Sequence, residues 1–88
     1  MTVSIVIPLY NEDENVDILH AKLSTVMAGL NIEYEIIYVD DGSSDRTAGE
    51  ARKSDAIVLR HLVNLGKGAA LKTGCDYAIK YKADIIVA

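Results

Sequence analysis

The apolar positions change their period along the chain. Val3, Ile5, Val6, Ile7 and Leu9 form a short, nearly continuous apolar run rich in β-branched residues, closed by Pro8. A half-exposed strand would alternate strictly, so this run predicts a strand covered on both faces. From Asp13 and Glu14 onward the pattern turns helical. Val16, Leu19, Leu23, Val26, Met27 and Leu30 recur at spacings of three, four and seven, behind an acidic first turn of the kind the helix dipole favours. Gly29 and Asn31 supply the stop signal.

The alternation then repeats. Residues 36–39, Ile-Ile-Tyr-Val, predict a second buried strand that ends in the polar turn Asp40-Asp41-Gly42-Ser43-Ser44-Asp45. Ser44 or Asp45 is placed to cap a short helix running through Lys53. Residues 56–59 predict a third strand, followed by a loop around Asn64-Leu65-Gly66-Lys67-Gly68 and a helix over about 69–81. Residues 84–88 open a fourth strand. Strand, helix, strand, helix, strand, helix, strand predicts an α/β fold, a parallel sheet with helices on its faces. Right-handed crossovers put every strand's carboxyl end on one edge. A parallel-sheet domain seldom stops on the inner residues of an apolar strand. Residues 1–88 therefore read as the N-terminal portion of a larger, truncated domain.

Composition narrows the function. Half of the 88 residues are hydrophobic and a quarter charged, with one proline and six glycines, which excludes disorder and low-complexity repeats. The net charge of −4 argues against nucleic acid as a partner, since phosphate neutralisation needs clustered Lys and Arg. A single cysteine, Cys75, excludes an intrachain disulfide and a multi-cysteine zinc site. No apolar run approaches the ~20 residues that span a bilayer, and no basic segment leads into Thr2-Val3-Ser4. The expectation is a soluble, cytoplasmic unit.

Ligands of open parallel sheets bind outside the carboxyl ends of the strands. Three such ends carry polar groups here: Pro8-Leu9-Tyr10-Asn11-Glu12, Asp40-Asp41-Gly42-Ser43, and residues 60–68. Asp40 and Asp41 point to opposite sides of a strand, which disfavours an acid/base dyad. Either could accept from a base N–H or a ribose hydroxyl, or simply cap the turn. Gly66-Lys67-Gly68 before a helix offers backbone N–H groups, a general anion site or an ordinary helix-leading loop. It fits neither the dinucleotide fingerprint nor the P-loop, because Leu71 stands where those motifs need other residues. His20 is expected at the surface or partly packed, His61 has no recognisable partner, Cys75 packs, and Lys72, Lys80 and Lys82 form a solvated face. No His or Cys spacing suits a metal.

In order, Ile5-Val6-Ile7-Pro8-Leu9-Tyr10-Asn11-Glu12, Val39-Asp40-Asp41-Gly42-Ser43-Ser44-Asp45-Arg46-Thr47 and Asn64-Leu65-Gly66-Lys67-Gly68-Ala69-Ala70-Leu71-Lys72-Thr73-Gly74 resemble the opening of family-2 glycosyltransferases. The likeness runs closest to dolichyl-phosphate mannosyltransferases and related polyprenyl-phosphate sugar transferases, and it covers essentially the whole chain. It implies the βαβαβαβ half of a GT-A, Rossmann-like fold that binds a UDP- or GDP-sugar donor. Pro8, Tyr10, Asn11 and Glu12 would line the nucleotide pocket, with Tyr10 against base or ribose and Glu12 accepting from a ribose hydroxyl. Asp41, with Asp40 beside it, would read the base or ribose. Lys67 would sit near a base carbonyl or the diphosphate, and Asn64, Gly66 and Gly68 would shape its loop. Gly74 would let its helix approach the sheet, or serve tight packing alone.

The same resemblance implies a divalent cation, Mg or Mn, held by an Asp-x-Asp that would follow the fourth strand. No catalytic and no metal-ligating residue is therefore assigned within the chain, and the chain by itself is expected to be inactive. The acceptor would be a lipid phosphate, polyprenyl phosphate first, or a glycan, and a lipid acceptor would bring the complete protein to the cytoplasmic face of a membrane. The alternative is a standalone non-catalytic module that binds a nucleotide or a partner, with its exposed sheet edge covered by a second copy.

Overall fold

A computed structural model describes residues 1–88. The chain runs β1 (Thr2–Leu9), α1 (Val16–Gly29), β2 (Glu33–Asp41), α2 (Thr47–Arg52), β3 (Ile57–His61), α3 (Lys67–Lys80) and β4 (Ile85–Val87). All strand pairs are parallel, in the order β3-β2-β1-β4. This is the four-strand α/β sheet expected of the half GT-A, Rossmann-like architecture.

Side-chain alternation along the strands divides the core into two layers. On one face Val3, Ile5, Leu9, Ile36 and Tyr38 pack with Val16 and Met27 of α1 and Ala51 of α2. On the other, Val6, Ile37 and Val39 pack with Ala70 and Ala78 of α3. The small residues on α3 allow close approach, most of all at Gly74. A Cβ there would stand 2.2 Å from Val6 Cγ1 and 3.1 Å from Val39 Cγ2, so the glycine is a packing requirement.

Several boundaries differ from the sequence reading: β2 and β3 run on to Asp41 and His61, and α3 begins at Lys67 rather than about 69. Pro8 lies inside β1, paired with Val39 of β2. Pro8, which lacks an N–H, is the penultimate residue of β1, where the strand is about to leave the ladder. Asp13 and Glu14 precede α1 in a turn closed by Asn15 N–H to Glu12 O at 2.9 Å, which leaves Asp17 as the first-turn acid. Only Val16, Leu19, Leu23 and Met27 reach the core from α1, while Val26 and Leu30 stay exposed. Of the two residues assigned to the helix stop, Asn31 takes the left-handed φ of +52° just after the C-cap.

The chain order creates a switch point. Connections from β1 through β3 move outward in one direction, and β4 then returns to the far side of β1. The strand order therefore reverses between β1 and β4, and in parallel sheets the crevice at the carboxyl edge of such a reversal is where ligands bind.

Candidate functional site

A cleft of about 820 Å³ occupies that crevice, within the range usual for small-molecule sites. Its floor is the end of β1, from Val6 to Leu9, and one wall is Tyr10 and Glu12 of the following loop. Asp41 at the tip of β2 and Asn64, Gly66 and Lys67 ahead of and within the first turn of α3 form the opposite wall, backed by Leu71. Tyr10 is half exposed, at 49%, with its ring free to lie against a ligand. A smaller cavity of about 340 Å³ lies at the other end of β2 and β3, around Tyr34 and Asp55, away from the residues singled out by sequence.

Pro8, Tyr10, Glu12, Asp41, Gly66 and Lys67 thus converge on the cleft, whereas Asn11 and Asp40 do not line it. Strand alternation separates the two aspartates. Asp40 is fully buried on the α1–α2 side, where its Oδ1 accepts from Ser43 N–H at 3.3 Å and from the Ser43 hydroxyl. Arg60 Nε stands 3.4 Å from its Oδ2. Asn11, at a left-handed φ of +50°, turns its side chain away to accept from Ser44 N–H at 3.0 Å.

Asp41, 3% exposed, spends its carboxylate on the β3–α3 loop. Oδ1 accepts from His61 Nδ1 at 2.7 Å and Leu65 N–H at 2.9 Å. Oδ2 accepts from Gly66 N–H at 2.8 Å and Asn64 Nδ2 at 3.0 Å. Four donors occupy the four lone-pair positions of the carboxylate. A base or ribose reaching Asp41 must take the place of one of them. The His61 hydrogen bond first, then that from Leu65, holds the Asp41 carboxyl below its ordinary value of 3.8.

The expectation that His61 lacks a partner is therefore corrected. Its Nδ1 meets Asp41, and its Nε2 lies 2.8 Å from Thr73 Oγ1 on α3. Both partners are remote in sequence, and only the register Asp41↔His61 across β2 and β3 could have signalled the first. His20 is likewise engaged, with Nδ1 at 2.8 Å from Tyr38 Oη and Nε2 at 3.2 Å from Asp55 Oδ1. Cys75 is half-buried against the α3 layer, and Lys72 pairs with Asp76 at 2.7 Å on the exposed face of α3.

Two glycines shape the site. Gly66 leads into α3 at φ +101°, a conformation that strains any side chain. Gly42, at φ +73°, packs so closely that a Cβ would stand 2.3 Å from the Val63 carbonyl carbon. The loop after β2 thus lies directly against the loop that carries Asn64.

No three His, Cys, Asp or Glu side chains come together as a metal site, and Asp41 has no spare lone pair to offer. The residues present do not fit a divalent cation. No helix is long and apolar enough to cross a membrane.

Residues 4–86 match the profile of the family described as Glycosyl transferase family 2. The chain is 45% identical over 80 residues to an uncharacterized glycosyltransferase of Synechocystis sp., an alignment covering 85% of this chain and 25% of the relative. It is 38% identical over 85 residues to an uncharacterized protein of Methanocaldococcus jannaschii, covering 94% of this chain and 32% of the relative. The chain spans about a quarter to a third of the length of these curated relatives. With the profile match running through β1, the acidic turn after β2 and the glycine loop before α3, the chain belongs to glycosyl transferase family 2.

Proposed function

We propose that the cleft is the nucleotide end of a sugar-donor site, and that residues 1–88 form the N-terminal nucleotide-binding portion of a glycosyltransferase catalytic domain. The observation that carries this reading is the convergence of Tyr10, Glu12 and Lys67 on one cleft at the sheet's carboxyl edge. Tyr10 offers a ring face to base or ribose. Glu12 accepts from a ribose hydroxyl. Lys67 brings a cation to the diphosphate, beside first-turn amides of α3 that have no intrahelical acceptor. Asp41 acts by holding the loop that carries Gly66 and Lys67.

The complete protein would transfer a sugar from a UDP- or GDP-activated donor by in-line displacement with inversion, as a hexosyltransferase of the dolichyl-phosphate mannosyltransferase-like branch. Polyprenyl phosphate is the favoured acceptor, then a glycan or another lipid, which would bring the protein to the cytoplasmic face of a membrane. The divalent cation, Mg or Mn, and its ligands are assigned to the longer protein, so the chain alone binds donor nucleotide without appreciable transfer. Covering the free edge of β4, where Ile85 and Val87 are exposed, falls to a further strand or a second copy.

Equilibrium titration of the chain with UDP and with GDP tests the reading. One nucleotide should bind in the micromolar-to-millimolar range, and Lys67→Ala should weaken it about tenfold, the loss of one charge-assisted contact. Binding unaffected by Lys67→Ala, or no binding of either nucleotide, would overturn it.

A further inference from the structure

The β1–α1 loop that carries Tyr10 and Glu12 is tied down by a repeated device. Ser43 Oγ donates to Asp40 Oδ1 and accepts from Asn11 N–H at 2.9 Å. Thr47 Oγ1 donates to Asp45 Oδ1 and accepts from Glu12 N–H at 2.8 Å. In each case a carboxylate takes the hydroxyl's single hydrogen, which turns the oxygen lone pairs toward one backbone amide. Two such links, on successive residues, fix both peptide planes between Tyr10 and Glu12.

The setting makes the links firm. Asp40 and Thr47 are wholly buried and Ser43 nearly so, so water competes poorly for the Asp40–Ser43 bond, while the second relay ends on the exposed Asp45. Arg60, 3.4 Å from Asp40 Oδ2, keeps the inner carboxylate paired. Outer bonds reinforce the same junction: Asp13 N–H reaches Asp45 Oδ2 at 3.3 Å, and Ser44 N–H reaches Asn11 Oδ1 at 3.0 Å. Asn11 sits at a left-handed φ of +50°, a conformation that asparagine takes more readily than other side-chain-bearing residues. Neither Asp40, Ser43, Asp45 nor Thr47 lines the cleft.

We propose that Asp40 and Asp45 are positioning residues of the cleft, acting through the Ser43 and Thr47 hydroxyls to preset the Asn11 and Glu12 amides and hence the Tyr10 and Glu12 side chains for the ligand. The acidic turn after β2 then serves both walls: Asp41 anchors the loop before α3, and the two hydroxyl relays anchor the loop after β1. This inference rests on the donor-site reading for its ligand, but the relays themselves are testable without one.

The test is residue-resolved amide hydrogen exchange of the full 88-residue chain, followed by UDP and GDP titration. Thr47→Val keeps shape and removes the hydroxyl. It should raise Glu12 amide exchange about tenfold or more while β1 and β2 amides stay protected, and Ser43→Ala should do the same at Asn11. Thr47→Ser should restore Glu12 protection. Should either buried variant fail to fold, Asp45→Ala at the exposed end of the second relay gives the same selective readout at Glu12. Unchanged exchange at Asn11 and Glu12, or a rise spread evenly over the chain, overturns the relays.

Affinity then decides the positioning role. Nucleotide binding weakened about tenfold in Thr47→Val and recovered in Thr47→Ser, at equal melting temperature, supports it. Lost Glu12 protection with unchanged affinity overturns it. If the unsubstituted chain binds neither nucleotide, the donor-site reading fails, and with it the ligand's part of this proposal, while the exchange data still decide the relays.

Discussion

His61 Nδ1 meets Asp41 Oδ1 at 2.7 Å across the tips of adjacent strands. An ionised carboxylate only accepts, so this ring nitrogen carries the hydrogen. The contact joins β3 to β2 and, through Thr73 at 2.8 Å, to α3. It lies directly behind the loop that brings Lys67 to the cleft.

His61→Ala removes one of the four donors on Asp41 and leaves a void against α3. We expect a loss of about 1–3 kcal/mol in folding stability, the usual consequence of stranding a buried acceptor. Denaturant midpoints measure it. Amides of Leu65 and Gly66 should exchange faster, because the carboxylate they bond to is less well fixed.

Acid should weaken the fold in a defined direction. Asp41 is held below its ordinary value chiefly by His61, Asp45 by the Thr47 hydroxyl, and Glu50 by Lys53. A carboxyl depressed in the native state binds its proton sooner when unfolded. Its contribution is complete above the unfolded values of 3.8 and 4.5, and it is lost as pH falls through the lower native ones. Urea midpoints followed from neutrality into acid should fall below about pH 4–5. In Asp41→Asn the stability should be lower at neutral pH and fall less steeply with acid.

Tyr38 should ionise well above the ordinary phenol range. Burial first, and the nearby Asp55 charge second, push its phenol up from 10.0 to about 12. A native pKa above the unfolded one gives stability that is complete below about pH 10 and declines as pH rises toward about 12. Ultraviolet titration of the five tyrosines should show a late component, absent from Tyr38→Phe.

Gly74→Ala should destabilise despite the better helix propensity of alanine. The added Cβ meets Val6 Cγ1 at 2.2 Å, and overpacking of this kind costs about 1–3 kcal/mol, against about 1 kcal/mol gained from propensity. Combining it with Val6→Ala should return part of the loss. A double-mutant cycle measures that coupling, and strict additivity would contradict the contact.

The strand–helix alternation was legible because each element carries its own period, and the separation of Asp40 from Asp41 followed from strand alternation alone. Local pattern misplaced what neighbours decide. Pro8 lies inside β1, paired with Val39 of β2, rather than closing the strand. Val26 shares the apolar pattern of α1 but lies beside the stripe that meets the sheet, and Leu30 falls just past the helix end. The convergence of the cleft was readable from topology. The partners of His61 and the links from the Ser43 and Thr47 hydroxyls to the Asn11 and Glu12 amides were not, because they join residues far apart in sequence, and the apolar Leu62, 97% exposed, gives no local signal of its position.

The most direct test of the account is an amide shift map of the isotope-labelled chain titrated with UDP and with GDP. Shifts concentrated at Tyr10, Glu12, Gly66 and Lys67, with α1 and the far cavity around Tyr34 and Asp55 unmoved, are the predicted result. Saturable shifts centred on that far cavity, or none at the cleft with either nucleotide, would contradict it.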